Sequence, residues 1–369
     1  MLPPAAEWPK LRATLDHLAA AVEDLLLGGL TTASEATRKT LAGAMQEAAR
    51  LRLLRLSATI RQLLDDLARF TAHDPLLSRR RLTLFLNRGW LIARGLSHAL
   101  QTNDEKGFDR LNATPTTQPL ASAEVVCLGV VKRATAAVVR FEFRCRVVAG
   151  TAPVTVGDAV SWSFTQPVKT KTFPAEAFLH LPQKQKFPPS CFLEGKRIAI
   201  GNANVSRDDA GAWRVLLTDA STVTPGAAFT DWKRFLEWTP TAALERLAKA
   251  VPGPLDLDNE LTEEIVLRDY EVGPGADGEE PGQTAYPIPA GPLTFHAVVS
   301  SGSEGKAVRK HLDDLFKLKK ARPPLFGLLH YERCRLVLQP LATVAESGPT
   351  YLTISPEKVD KAALLKALF

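Results

Sequence analysis

The chain has 369 residues, 45% hydrophobic and 23% charged, with a formal net charge of +6. That length exceeds one small core and predicts two or three domains. The sequence has no apolar run of about eighteen residues, so a membrane-spanning helix is not expected. The acidic residues within "MLPPAAEWPKLRATLDHLAAAVEDLLLGGL" also do not fit a secretory signal.

Residues 8–110 read as helical. Leu11, Leu15, Leu18, Val22, Leu25 and Leu26 recur near the helical period, and Gly28-Gly29 should end that helix. A second helix is predicted from Ser34 through to Phe70, with Leu53, Leu56, Ile60, Leu63 and Leu67 on one face. Pro75 punctuates the chain. A third stretch, "RRRLTLFLNRGWLIARGLSHALQ", should bend or weaken at Gly89 and Gly95. Each stripe needs a cover, so residues 1–111 are expected to form a helical bundle.

After a polar, proline-containing joint the period changes to two. In "VVRFEFRCRVV" Val139, Phe141, Phe143, Cys145 and Val147 point one way, and Arg140, Glu142, Arg144 and Arg146 the other. Several short strands follow, and residues 123–225 are expected to form a small antiparallel β-barrel or a sandwich. A long insertion, 166–196, interleaves lysines with phenylalanines. Residues 226–292 read as a helical segment and a Gly/Pro-rich linker. The last unit, 293–369, reads as a small α+β module. The expected fold class is therefore multidomain α+β.

Charge is uneven: +4 over residues 1–120, +5 over 121–240 and −3 over 241–369. The basic residues most suited to a partner are Arg140, Arg144 and Arg146 on one strand face. Lys132-Arg133 and Lys196-Arg197 would widen that patch if their strands pair nearby. In the insertion, Lys169, Lys171, Lys184, Lys186 and Phe187 form a candidate recognition element. Bases would need aromatic platforms on the arginine face, and Phe141 and Phe143 point the other way.

"SSGSEGKAVRKHLDDLF" (300–316) has the order of a phosphate loop, but Ser300 stands where the first glycine belongs and Ala307 replaces the magnesium-binding hydroxyl. What survives is a weak anion site at Lys306 and Arg309. Cys127, Cys145, Cys191 and Cys334 are far apart with no CxxC, so neither a structural disulfide nor zinc is expected and the thiols suit a reducing, cytoplasmic setting. The seven histidines form no ligand motif, and no catalytic residue, metal or cofactor is expected.

The leading expectation is a non-enzymatic adaptor whose partner is another protein, bound through the basic β-face and the 166–196 loop. The alternative is a nucleic-acid-binding accessory protein using that face. A third reading is an enzyme whose site is assembled from distant segments.

Overall fold

A computed structural model describes residues 2–74, 77–112, 116–134, 138–167, 174–207, 212–237, 244–245, 248–249, 262–280, 282–300, 302–332 and 335–354. The chain divides into two units, one spanning Met1–Pro115 with Pro252–Leu257 and the other Thr116–Val251 with Asp258–Phe369.

The first unit is a bundle of α1 (Trp8–Gly28), α2 (Glu35–Arg50), α3 (Leu54–Thr71), α4 (Arg79–Thr102) and α5 (Glu105–Asn112). Its core takes Leu11, Leu15, Leu18 and Val22 of α1, Leu56, Ile60 and Leu63 of α3, and Ile92 and Leu96 of α4. Ser34 and Ser78 cap α2 and α4, their hydroxyls accepting from the amides of Thr37 and Arg81. The predicted Ser34–Phe70 helix is in fact two. Arg52 takes a left-handed φ of 56° and Leu53 donates back to the Ala48 carbonyl, which turns the chain between α2 and α3. By contrast, α4 runs through both glycines. A Cβ at Gly95 would lie 2.8 Å from Leu111 Cδ1, so glycine there leaves room for the Leu111 side chain of α5. Asp66, fully buried, accepts from Arg81 Nε at 3.1 Å and from Arg81 Nη2.

The second unit holds two mixed β-sheets. In the first, β1 (Thr117–Ala134), β2 (Val138–Gly150), β3 (Ala159–Pro167), β5 (Trp213–Leu216) and β4 (Lys196–Arg207) form a ring, because β4 also pairs with β1; β6 (Thr222–Ala228) is attached to β4. The expectation of a purely antiparallel domain is corrected here: β3 and β5 run parallel, Ser161 opposite Arg214. The ring encloses Phe141, Phe143, Trp162, Phe164 and Trp213 with Phe178, Phe187, Cys191 and Phe192 of the insertion. Trp162 stacks on Phe192 at 5.0 Å and tilts against Phe187 at 5.4 Å.

The second sheet has the order β7 (Glu263–Leu267), β11 (Leu325–Glu332), β12 (Arg335–Ala345), β10 (Leu293–Ser300), β9 (Gln283–Ala290) and β8 (Ala276–Asp277), with β13 (Gly348–Tyr351) also on β12. Helix α6 (Ser303–Lys317) buries Val308, Leu312 and Leu315 in the core under this sheet. The stretch read as a Gly/Pro linker thus contains strands. Pro287 and Pro289 are tolerated because their carbonyls accept from Gly273 and Glu271, so the side of β9 lacking N–H groups faces away from β10.

The two sheets share a further core of Val126, Leu128 and Val131 from β1 with Val266, Phe326, Leu328 and Leu341. Gly129 leaves room for that contact, since a Cβ there would lie 2.7 Å from Phe326 Cε1 and 2.8 Å from Leu341 Cβ.

Candidate functional site

Strand alternation sets the site. With Phe141, Phe143 and Cys145 turned into the ring, Arg140, Glu142, Arg144 and Arg146 line its outer face. Register brings neighbours to the same face: Arg133 of β1 lies opposite Arg140, Ser163 of β3 opposite Glu142, Ser161 opposite Arg144, and Arg214 of β5 opposite Ser161.

Glu142 is the hub. Its carboxylate accepts from Arg140 Nη2 at 3.1 Å and forms an ion pair with Arg144 Nη2. Arg140 also donates to Ser163 Oγ from Nε at 3.2 Å and from Nη2 at 2.8 Å. Burial by itself would raise the pKa of Glu142, but Arg144, Arg140, Arg133 and Arg214 outweigh it and hold the carboxyl below its usual value. The same surroundings lower the pKa of Arg140, burial first and then the repulsion of Arg214, Arg133 and Arg144, against the pull of Glu142. The row continues through Glu264 of β7, which forms an ion pair with Arg144 Nη1 at 3.5 Å and accepts from Arg146 Nη1. Arg144 and Arg146 are largely buried, while Arg140 is 38% exposed and Arg133 and Arg214 are exposed. Among the described residues no carboxylate forms an ion pair with Arg133 or Arg214.

The predicted residues are thus divided. Arg140, Arg144 and Arg146 share one face, joined as expected by Arg133. Lys132 is drawn off to Glu176 at 2.8 Å, Lys196 to Glu194 at 2.7 Å and Arg197 to Glu124 at 3.6 Å. Lys184 pairs with Asp219 at 3.3 Å on the surface, and Lys186 is exposed with a left-handed φ of 61°. Phe187, expected as a contact, lies 2% exposed in the ring core, where it staples the insertion down. Lys169 and Lys171 lie outside the described residues. Lys306 is exposed in the first turn of α6, and Arg309 follows one turn on. Gly305 there meets a packing demand: a Cβ would fall 1.9 Å from the Ser300 carbonyl oxygen.

Sequence reading missed Arg214. Alternation between the inward Trp213 and Val215 marks it as outward, but only the parallel β3–β5 pairing carries it to the arginine face. No group of three or more potential metal ligands occurs among the described residues, and none of their helices is long and apolar enough to cross a membrane.

No family model and no curated protein matches the chain. Solved structures give slight likenesses. The Ifi202 HINa domain in complex with a 20-bp double-stranded DNA is 10% identical, with a TM-score of 0.31 over 61% of this chain and 94% of that one. The p202 HIN1 domain in complex with a 12-mer double-stranded DNA is 10% identical, with a TM-score of 0.32 over 62% and 92%. A replication protein A heterotrimer bound to single-stranded DNA is 9% identical, with a TM-score of 0.28 over 69% and 52%. Likeness at this level carries no function across.

Proposed function

We propose that this protein binds nucleic acid through backbone phosphates, at the face formed by Arg133, Arg140 and Arg214. The observation that carries the reading is the charge imbalance around Glu142. Four arginines surround that one carboxylate, and two of them, Arg133 and Arg214, have no ion-pair partner among the described residues. Guanidinium forks of this kind suit phosphate oxygens, and the Ser163 hydroxyl already orients Arg140.

Two further features support it. A five-stranded ring is the architecture of the OB type, in which the face of the second and third strands takes up oligonucleotides; this is an analogy of fold. Arg140 and Ser163 stand on that face here. The ring's aromatic side chains are turned into its core, so the contact envisaged is with phosphates and is indifferent to base sequence.

This reading replaces the adaptor expectation for the arginine face. A protein contact usually centres on aromatic and aliphatic side chains, whereas the residues around Glu142 on this face, Arg140, Arg144, Ser161, Ser163, Thr165 and Arg214, are all polar or charged. The test is anisotropy of labelled duplex and single-stranded oligonucleotides of unrelated sequence with the full chain. Binding at low salt with little sequence preference is expected; no binding to either form would overturn the proposal.

A further inference from the structure

Glu264 holds the buried end of the arginine row. It lies on β7, which among the described residues pairs with β11 alone, at the edge of the second sheet. Its two carboxylate oxygens are taken separately, Oε1 by Arg144 and Oε2 by Arg146. Two guanidiniums on two oxygens of one anion is the arrangement by which arginines also hold phosphate. Arg144 and Arg146 continue, on the same strand face, the line begun by Arg133 and Arg140. The buried Arg144 Nε has no hydrogen-bond partner among the described residues.

We infer that Glu264 is an internal competitor for phosphate: its carboxylate occupies Arg146, shares Arg144 with Glu142, and keeps Arg146 out of the nucleic-acid contact, so the resting face engages its ligand with only part of its arginines. The inference rests on the nucleic-acid reading of the same face. Attraction between Glu264 and two cations is strong where water is scarce, so release requires a polyanion that offers several phosphates together.

The experiment compares the full chain with its Glu264→Gln variant, using a labelled duplex over a range of salt. Glu346→Gln, which removes an exposed carboxylate paired with Lys233, controls for net charge. The expected result is a rise in affinity of about five- to tenfold for Glu264→Gln. The dependence of log K on log salt should steepen by about one, the increment for Arg146, since Arg144 stays paired with Glu142. Glu346→Gln should change affinity less than about twofold, as a distant screened charge does. If Glu264→Gln does not fold, as judged by circular dichroism, Glu264→Asp takes its place. It keeps the charge but draws the carboxylate back, and the same direction is expected. Wild-type affinity and salt dependence in a folded Glu264 variant, or an equal gain in Glu346→Gln, would overturn the inference and leave the nucleic-acid reading standing. Failure of both wild type and variant to bind would overturn both.

Discussion

Arg146 of β2 donates to the carboxylate of Glu264 on β7, 118 residues further along the chain. This pair joins the two sheets of the second unit beside the apolar core they share. It also shows how the arginine face is built. The inner end of the row is neutralised within the protein, while the outer end, at Arg133, Arg140 and Arg214, keeps an excess of positive charge.

Gly129 faces Phe326 and Leu341 of the second sheet. Its φ is not in the left-handed region, so alanine there meets a packing problem only. A Cβ 2.7 Å from the Phe326 ring should cost about 1–3 kcal/mol through overpacking. Urea unfolding of Gly129→Ala, followed by tryptophan fluorescence, checks this; a wild-type midpoint would mean that the two sheets separate freely.

The helical unit carries an asymmetric ion pair. Asp66 is fully buried, whereas its partner Arg81 is 38% exposed. Removing Arg81 strands a buried charge, but removing the charge of Asp66 leaves an arginine that water can reach. Arg81→Ala should therefore cost about 3 kcal/mol and Asp66→Asn about 1 kcal/mol. Helix circular dichroism in denaturant measures both, and equal losses would contradict the asymmetry.

Acid should loosen the arginine face. The pKa of Glu142 is lower in the folded protein than its ordinary value, so the unfolded chain binds the proton more readily. The stability this contributes is present above the unfolded value of about 4.3. It is lost as pH falls from there through the folded value. Stability of the second unit should thus drop below about pH 4, and less steeply in Glu142→Gln; identical profiles for the two proteins would remove Glu142 from the account.

Local pattern made parts of this legible in the sequence. The period-two alternation of "VVRFEFRCRVV" placed Phe141 and Phe143 inside and the arginines outside, and the leucine stripes marked the bundle. Pairing between distant segments was not legible. The β3–β5 parallel match delivers Arg214, and the fold of the second sheet delivers Glu264. Phe187 misled for a related reason: interleaved Lys and Phe suit a binding loop and a stapled loop equally, and burial alone separates them. Pro287 and Pro289 hid a strand because what matters is which edge lacks the N–H groups, and composition does not carry that.

On the proposed reading, Arg133, Arg140 and Arg214 neutralise phosphates. The most direct measurement is the salt dependence of oligonucleotide affinity for the wild type and for a variant carrying Arg133→Gln, Arg140→Gln and Arg214→Gln together. The wild-type slope of log K against log salt should be about −3 on a duplex, from roughly 0.9 per phosphate contact. In the triple variant it should flatten by about that amount, with affinity at low salt falling on the order of a hundredfold. A folded triple variant that kept the wild-type slope and affinity would contradict the claim.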